Sequence, residues 1–249
     1  MKLTHLCVFA DNYIWLLEDN KQVIIVDPGE ATVVIDYLER NQLTPVALLI
    51  THHHDDHTGG ISALCEHYPQ LPVYGPQEAQ KRGVTQIVSG GETLHIQHHT
   101  FEVIATPGHT LGHVSYYSRP YLFCGDVLFS AGCGRIFEGT PEQHYHSLMQ
   151  YLNLPDDTLI CPAHEYTLSN LTFAHHFVPN DITINHALAQ VKNLRASHVA
   201  TLPTTLKKEK EINLFLRCHE EALKTLLLNN RSATDLELFT FLRHKKDSF

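Results

Sequence analysis

Along the first two-thirds of the chain, short apolar runs alternate with polar or Gly/Pro-rich breaks. The runs Tyr13–Leu17, Val23–Val26, Val46–Ile50, Phe101–Ala105, Tyr121–Cys124 and Thr158–Cys161 are predicted strands. Several are continuous Val/Ile/Leu stretches, the pattern of strands covered on both faces. Asp27-Pro28-Gly29 supplies a turn after the second run. Ala31–Arg40 and Ile61–His67 read as short helices between strands, so the elements alternate in a layered α/β arrangement.

From Tyr166 the period changes. Ile184, Ala187, Leu188, Val191 and Leu194 recur at helical spacing behind a cap at Asn180 or Asp181. Ile212, Phe215, Leu216, His219, Leu223, Leu226 and Leu227 predict a second helical segment, with Pro203-Thr204-Thr205 between the two. The expected organisation is an α/β domain over residues 1–165 and a small helical domain over 166–249. Lys207-Lys208-Glu209-Lys210 reads as a solvated helix face.

The polar breaks carry the chemistry. Thr51-His52-His53-His54-Asp55-Asp56-His57-Thr58-Gly59-Gly60 comes directly after Val46–Ile50, crowding imidazoles and carboxylates at one strand end. Alternation sends His52 and His54 to the same side, while Asp56 and His57 begin the turn into the next helix. Two pairs facing different points suit two metals better than one. Three more strands end the same way: Phe101–Ala105 delivers His109, Tyr121–Cys124 delivers Asp126, and Thr158–Cys161 delivers His164. The set His52, His54, Asp56, His57, His109, Asp126 and His164 has the nitrogen and oxygen donors that Zn, Mn or Fe accept. His113 competes with His109 as a ligand, and His53 and Asp55 are expected to point outward or support ligands from behind. The pairs His98/His99, His144/His146 and His175/His176 read as surface or packing residues. Asp27 is either a turn residue or a hydrogen-bond partner of a ligating His.

Charge adds a second theme. The chain of 249 residues carries a net charge of −9, and its 20 His exceed its 18 Lys and Arg. Residues up to Glu165 hold 7 basic and 19 acidic side chains, and the remainder hold 11 and 8. An acidic chain without clustered Lys and Arg is a poor nucleic-acid binder, whereas the basic tail can meet an anion. None of the six Cys forms a C-x-x-C pair, and a chain this long builds a core without disulfides, which points to a reducing cytoplasm. No run reaches the roughly 18 apolar residues of a membrane span, and the first residues lack a long apolar leader.

T-H-x-H-x-D-H, with downstream G-H, G-D and A-H-E-Y elements, resembles the metallo-β-lactamase superfamily. Within it the chain is similar to the glyoxalase II family, the hydroxyacylglutathione hydrolases. Phe129-Ser130-Ala131-Gly132-Cys133-Gly134-Arg135, Phe137-Glu138-Gly139-Thr140 and Arg243-His244-Lys245-Lys246-Asp247 carry that narrower likeness. It implies an αββα sandwich and, after it, a small C-terminal α-helical domain. It also implies two divalent metal ions, Zn with Fe or Mn as alternatives. One would take His52, His54 and His109, the other Asp56, His57 and His164, with Asp126 bridging. Asp56 and Asp126 would be catalytic, and Arg135, Phe137, Tyr166, Arg243 and Lys246 would contact substrate. The implied reaction is hydrolysis of S-(2-hydroxyacyl)glutathione thioesters, typically S-D-lactoylglutathione to D-lactate and glutathione, by a hydroxide shared between the metals. The implied protein is a cytoplasmic monomer with no nucleic-acid or membrane partner. Members of the family often have Lys at the position of Arg135 and Tyr at that of Phe137, and Asn213-Leu214-Phe215-Leu216-Arg217 lacks the proline of their N-P-F-L-R. Two other readings remain. A lactonase or phosphodiesterase of the same fold would keep the ligands without needing a basic tail. A metal-binding protein without activity is what His-richness alone suggests.

Overall fold

The computed structural model describes residues 2–249. One six-stranded sheet runs in the order β1 (Lys2–Val8), β2 (Asn12–Asp19), β3 (Gln22–Val26), β4 (Thr44–Leu49), β5 (Val73–Gly75) and β6 (Gln86–Ile87). From β3 onward its strands are parallel. The second sheet contains β7 (Thr93–Ile96), β8 (His99–Ala105), β9 (Val114–Ser118) and β10 (Tyr121–Gly125). After a small hairpin of β11 (Leu128–Phe129) and β12 (Gly132–Cys133), it continues with β13 (Leu159–Pro162) beside β10 and β14 (Thr204–Thr205) at the edge.

Alternation along the buried strands decides the layers. On β2 and β3, Ile14, Leu16, Val23 and Ile25 face one core, packed with Val34 and Leu38 of α1 (Thr32–Asn41) and Leu64 of α3 (Ile61–His67). Their neighbours Trp15, Leu17, Ile24 and Val26 face the other sheet and meet Phe101, Val103, Tyr116 and Phe123. These runs are apolar at every position because both faces are covered. The far face of the second sheet, through Leu122, Cys124 and Ile160, shares a third core with α4 (Pro141–Tyr151), α5 (Thr167–Phe177) and the later helices. The result is the expected αββα sandwich with helices appended at its C-terminal side.

Those helices are α6 (Ile182–Ala196), α7 (Leu206–Ile212), α8 (Glu221–Leu228) and α9 (Asp235–Asp247). Asp181 caps α6 by accepting from Thr183 and Ile184 N–H, and Thr234 with Glu237 forms a capping box on α9. The second helical segment expected from sequence is broken between Asn213 and Glu220. Asn213 is fully buried, and its Nδ2 donates to the carbonyls of Phe129 and Gly132 while its Oδ1 accepts from Phe215 N–H. A side chain that competes this well for backbone groups ends the helix despite the apolar spacing. Glu209 is a second departure, since it is fully buried rather than solvated. Its carboxylate accepts from Ser130 Oγ–H, Ala131 N–H and Asn213 Nδ2, and burial pushes its pKa up. The hairpin is thus held by the helical region through Glu209, Asn213 and Asn170, whose Nδ2 donates to Ser130 O.

Candidate metal centre

Four strand exits bring their polar residues to one edge of the sandwich. β4 runs into Thr51–His54, and α2 (Asp55–Thr58) turns Asp56 and His57 toward the same place. The loop after β8 carries His109, β10 ends at Gly125-Asp126, and β13 ends just before His164. Gly125 has φ 47°, a left-handed conformation that costs glycine little and lets the chain turn sharply into Asp126. A Cβ on Gly134 would collide with the carbonyl oxygen of Asp126, so the hairpin passes hard against this corner.

The seven residues expected to be ligands all converge. His52 Nε2 lies 3.0 Å from His54 Nδ1, which is 3.1 Å from His109 Nε2. Asp56 Oδ2 lies 3.6 Å from His57 Nε2 and 3.4 Å from His164 Nε2. Asp126 stands between the two groups: Oδ2 is 3.4 Å from His109, and Oδ1 is 3.4 Å from His57 and 3.3 Å from His164. Overlapping triads with ligand atoms within 4.8 Å of one another are His52/His54/His109, His52/His57/Asp126 and Asp56/His57/His164.

Hydrogen bonds behind the rings set which nitrogen is free. His109 Nδ1 donates to the Arg135 carbonyl at 2.7 Å, and His57 Nδ1 donates to Asp27 Oδ2 at 3.0 Å. His164 Nδ1 donates to Asp11 Oδ1 at 2.9 Å. Thr51 Oγ1 gives its proton to Asp27, so it accepts from His52 Nδ1 at 3.0 Å. Each of these rings therefore spends Nδ1 outward and aims Nε2 into the cluster, the arrangement that makes an imidazole a ligand. His113 fails this test, because Nδ1 contacts Thr106 Oγ1 and Nε2 accepts the Asp126 N–H. It steadies Asp126, which decides the competition with His109.

The residues fit divalent cations on two further grounds. His57 Nε2 and Asp126 Oδ1 are buried with no hydrogen-bond partner, although buried polar atoms are normally satisfied. Charge is also unbalanced. Burial pulls the imidazoles of His57 and His164 down, yet the carboxylates beside them, Asp126 foremost, lift them to about 10 and about 11. Burial raises Asp126 and Asp56, but His164 and His57 outweigh it and hold both well below the usual carboxylate range. Such a site attracts positive charge, and incoming metal ions would displace the extra protons.

Sequence reasoning left Asp27 undecided and did not single out Asp11 or Asn12. Asp27 is a hydrogen-bond partner, holding Thr51 as well as His57. Asn12 Nδ2 donates to Asp56 Oδ2 at 2.9 Å. Both Asp11 and Asn12 stand at the entry of an apolar strand, the same signal as the strand exits read in the opposite chain direction. His53 pairs with Glu138 and Asp55 with Arg82, away from the triads. His144 is buried, donating through Nε2 to Val127 O and stacked on Phe239, so it is a packing residue.

A cleft of about 380 Å³ leads away from Asp126 and His109. All five residues expected to touch substrate line it: Arg135, Phe137, Tyr166, Arg243 and Lys246. Phe137 is exposed, with its ring 5.2 Å from His109 and 5.6 Å from His54. Tyr166 stacks flat on His164 at 4.8 Å. Arg243 is buried, and its Nη1 donates to the carbonyls of Cys133 and Gly134. Lys246 reaches Ser169, and burial together with the Arg243 charge lowers its pKa to about 8. Among the described residues no helix is long and apolar enough to cross a membrane.

Comparison with known proteins agrees with this layout. Residues 9–164 match the family model of the metallo-β-lactamase superfamily, and residues 165–249 match that of the hydroxyacylglutathione hydrolase C-terminus. The chain is 52% identical to the hydroxyacylglutathione hydrolase of Erwinia tasmaniensis and 51% identical to that of Pectobacterium atrosepticum, covering all of each chain. Among solved structures it is similar to the B3 metallo-β-lactamase BLEG-1, with TM-score 0.66 and 26% identity over 86% of this chain and 99% of that one.

Proposed function

Since the chain belongs to the hydroxyacylglutathione hydrolase family of the metallo-β-lactamase superfamily, we propose that it hydrolyses S-(2-hydroxyacyl)glutathione thioesters at the cleft described above. S-D-lactoylglutathione, giving D-lactate and glutathione, is the typical substrate. It is a metal-dependent thioester hydrolase, and the likeness to its relatives covers the whole chain. We assign zinc to both positions, iron and manganese being the other ions this donor set accepts.

One ion would take His52, His54 and His109, and the other Asp56, His57 and His164. Asp126 would be shared by both. Its two oxygens already face separate groups, and this is the observation that carries the reading. Divalent ions held there would supply the chemistry of lowering the pKa of water from about 15.7 toward ~7 and of polarising the acyl oxygen. Asp56 keeps its charge beside His164 and His57 and its orientation through Asn12, so it can accept a hydrogen bond from the attacking water. Tyr166, flat on His164, and Phe137, beside His54 and His109, flank the place of the thioester. Arg135, Arg243 and Lys246 receive the carboxylates of the glutathione moiety at the far end. Because a free thiol ionises near pH 8.5, glutathione leaves as a thiolate without a dedicated acid.

We propose that it works as a monomer. The six cysteines are free thiols, which fits a reducing cytoplasm. The test is turnover of S-D-lactoylglutathione by zinc-loaded protein, together with Asp56→Asn. The variant should lose turnover far more than apparent affinity, as expected when an interaction made in the transition state is removed. Normal turnover with a raised KM would remove Asp56 from the chemistry. No hydrolysis of any glutathione thioester by metal-replete wild type would overturn the assignment.

A further inference from the structure

The cations at the far end of the cleft already have an anion among them. Arg243 Nη2 donates to Asp247 Oδ1 at 2.9 Å, and Arg135 Nε lies 3.4 Å from the same oxygen. One carboxylate oxygen thus serves two guanidiniums from distant parts of the chain. Arg243 is locked, since its Nη1 holds the hairpin and its side chain is only 6% exposed. Arg135 and Asp247 are open to water, at 56% and 37%, so their contact can exchange for another anion. Asp247 is the last residue of α9 and packs no core itself; the buried Leu238, Phe239 and Leu242 of that helix carry it to the two guanidiniums.

Resting on the reading of this cleft as a glutathione thioester site, we propose that Asp247 is a specificity-determining residue, an internal carboxylate that competes with the substrate's carboxylates for Arg135 and Arg243. Docking then exchanges one charge-assisted hydrogen bond for another, and the net gain is small. Without Asp247, three cations would face the incoming anion with no counter-charge, and attraction would be stronger. Glutathione keeps both carboxylates after hydrolysis, so the same exchange loosens the product. Contacts far from the reacting carbon act almost equally on bound substrate and transition state, so the effect appears in KM and in product inhibition.

The test is Asp247→Asn, which keeps shape and an acceptor oxygen while removing charge, with Asp247→Glu to restore it. Each is assayed with S-D-lactoylglutathione, with glutathione as product inhibitor, and with S-D-lactoyl-N-acetylcysteamine, a thioester without carboxylates. We expect Asp247→Asn to lower KM for the glutathione thioester and Ki for glutathione by roughly two- to fivefold, the size of an exposed ion pair. The salt dependence of KM should steepen. The uncharged thioester should not respond, and Asp247→Glu should return both constants toward wild type. Unchanged or raised constants, or equal shifts with both thioesters, overturn the proposal. A wild-type protein that does not hydrolyse S-D-lactoylglutathione at all would instead overturn the substrate reading.

Discussion

The two ends of the cleft handle charge in opposite ways. At the metal end, Asp11, Asp27, Asp56 and Asp126 crowd against histidines, and their ion pairs among the described residues run to histidine alone. That negative charge is left for a cation to meet. At the far end, Arg135, Arg243 and Lys246 gather with Asp247 already seated between the two guanidiniums. One end is built for strong demand, the other for moderate and reversible attraction. The backing differs as well. Behind His57, His109 and His164 stands an acceptor for the second nitrogen, whereas Arg243 spends its own donors on holding the hairpin.

This contrast breaks most directly at Asp126. Asp126→Ala should lose metal from both positions and lower turnover by more than the roughly 10–100-fold typical of losing a residue that only orients a ligand. Metal analysis and turnover on the same preparation check it. His109→Ala should chiefly empty one position, and two tightly bound metals in Asp126→Ala would refute the bridge. Next in size is Asp27→Asn, which removes the acceptor behind His57 and loosens Thr51 behind His52. Metal affinity, measured by chelator competition, should fall about 10–100-fold while the protein stays folded.

A smaller effect separates the two tail cations. Arg243→Ala leaves the carbonyls of Cys133 and Gly134 without their buried donor, costing about 1–3 kcal/mol in urea unfolding as well as raising KM. Lys246→Ala should raise KM severalfold, with stability and metal content nearly unchanged. Equal stability losses in the two variants would contradict the different roles assigned to them. The finest distinction comes from pH. Burial and Arg243 lower the Lys246 pKa to about 8, so its charge is present at pH 7 and lost as pH rises through 8. KM for the anionic thioester should therefore rise between pH 7 and 9 beyond any change shown by Lys246→Arg, which keeps its charge.

The same contrast separates the features legible in the chain from those that were not. Strand periodicity, the four polar strand exits and the family motifs singled out all seven residues that converge at the edge of the sandwich, because each stands locally at the end of its own strand. An apolar run must end at a sheet edge, and the polar residues next in the chain face that edge. The helical tail was visible as a change of period for a similar reason. Its details were not. Asn213 stops a helix that the spacing of Ile212, Phe215 and Leu216 favours, because its partners Phe129 and Gly132 lie some eighty residues away along the chain. Glu209 sits in a run of charges that reads as solvated, yet the hairpin supplies it with donors that only folding brings near. The Pro-Gly lead-in and the family motif favour His109 over His113, but the partners of each ring's second nitrogen come only with the fold. Asp247 reads as one more terminal charge until α9 carries it to Arg135. A sequence determines where a side chain stands along its own element, whereas the hydrogen bonds that set its charge, tautomer and freedom come from groups distant in the chain, and these only the tertiary structure chooses.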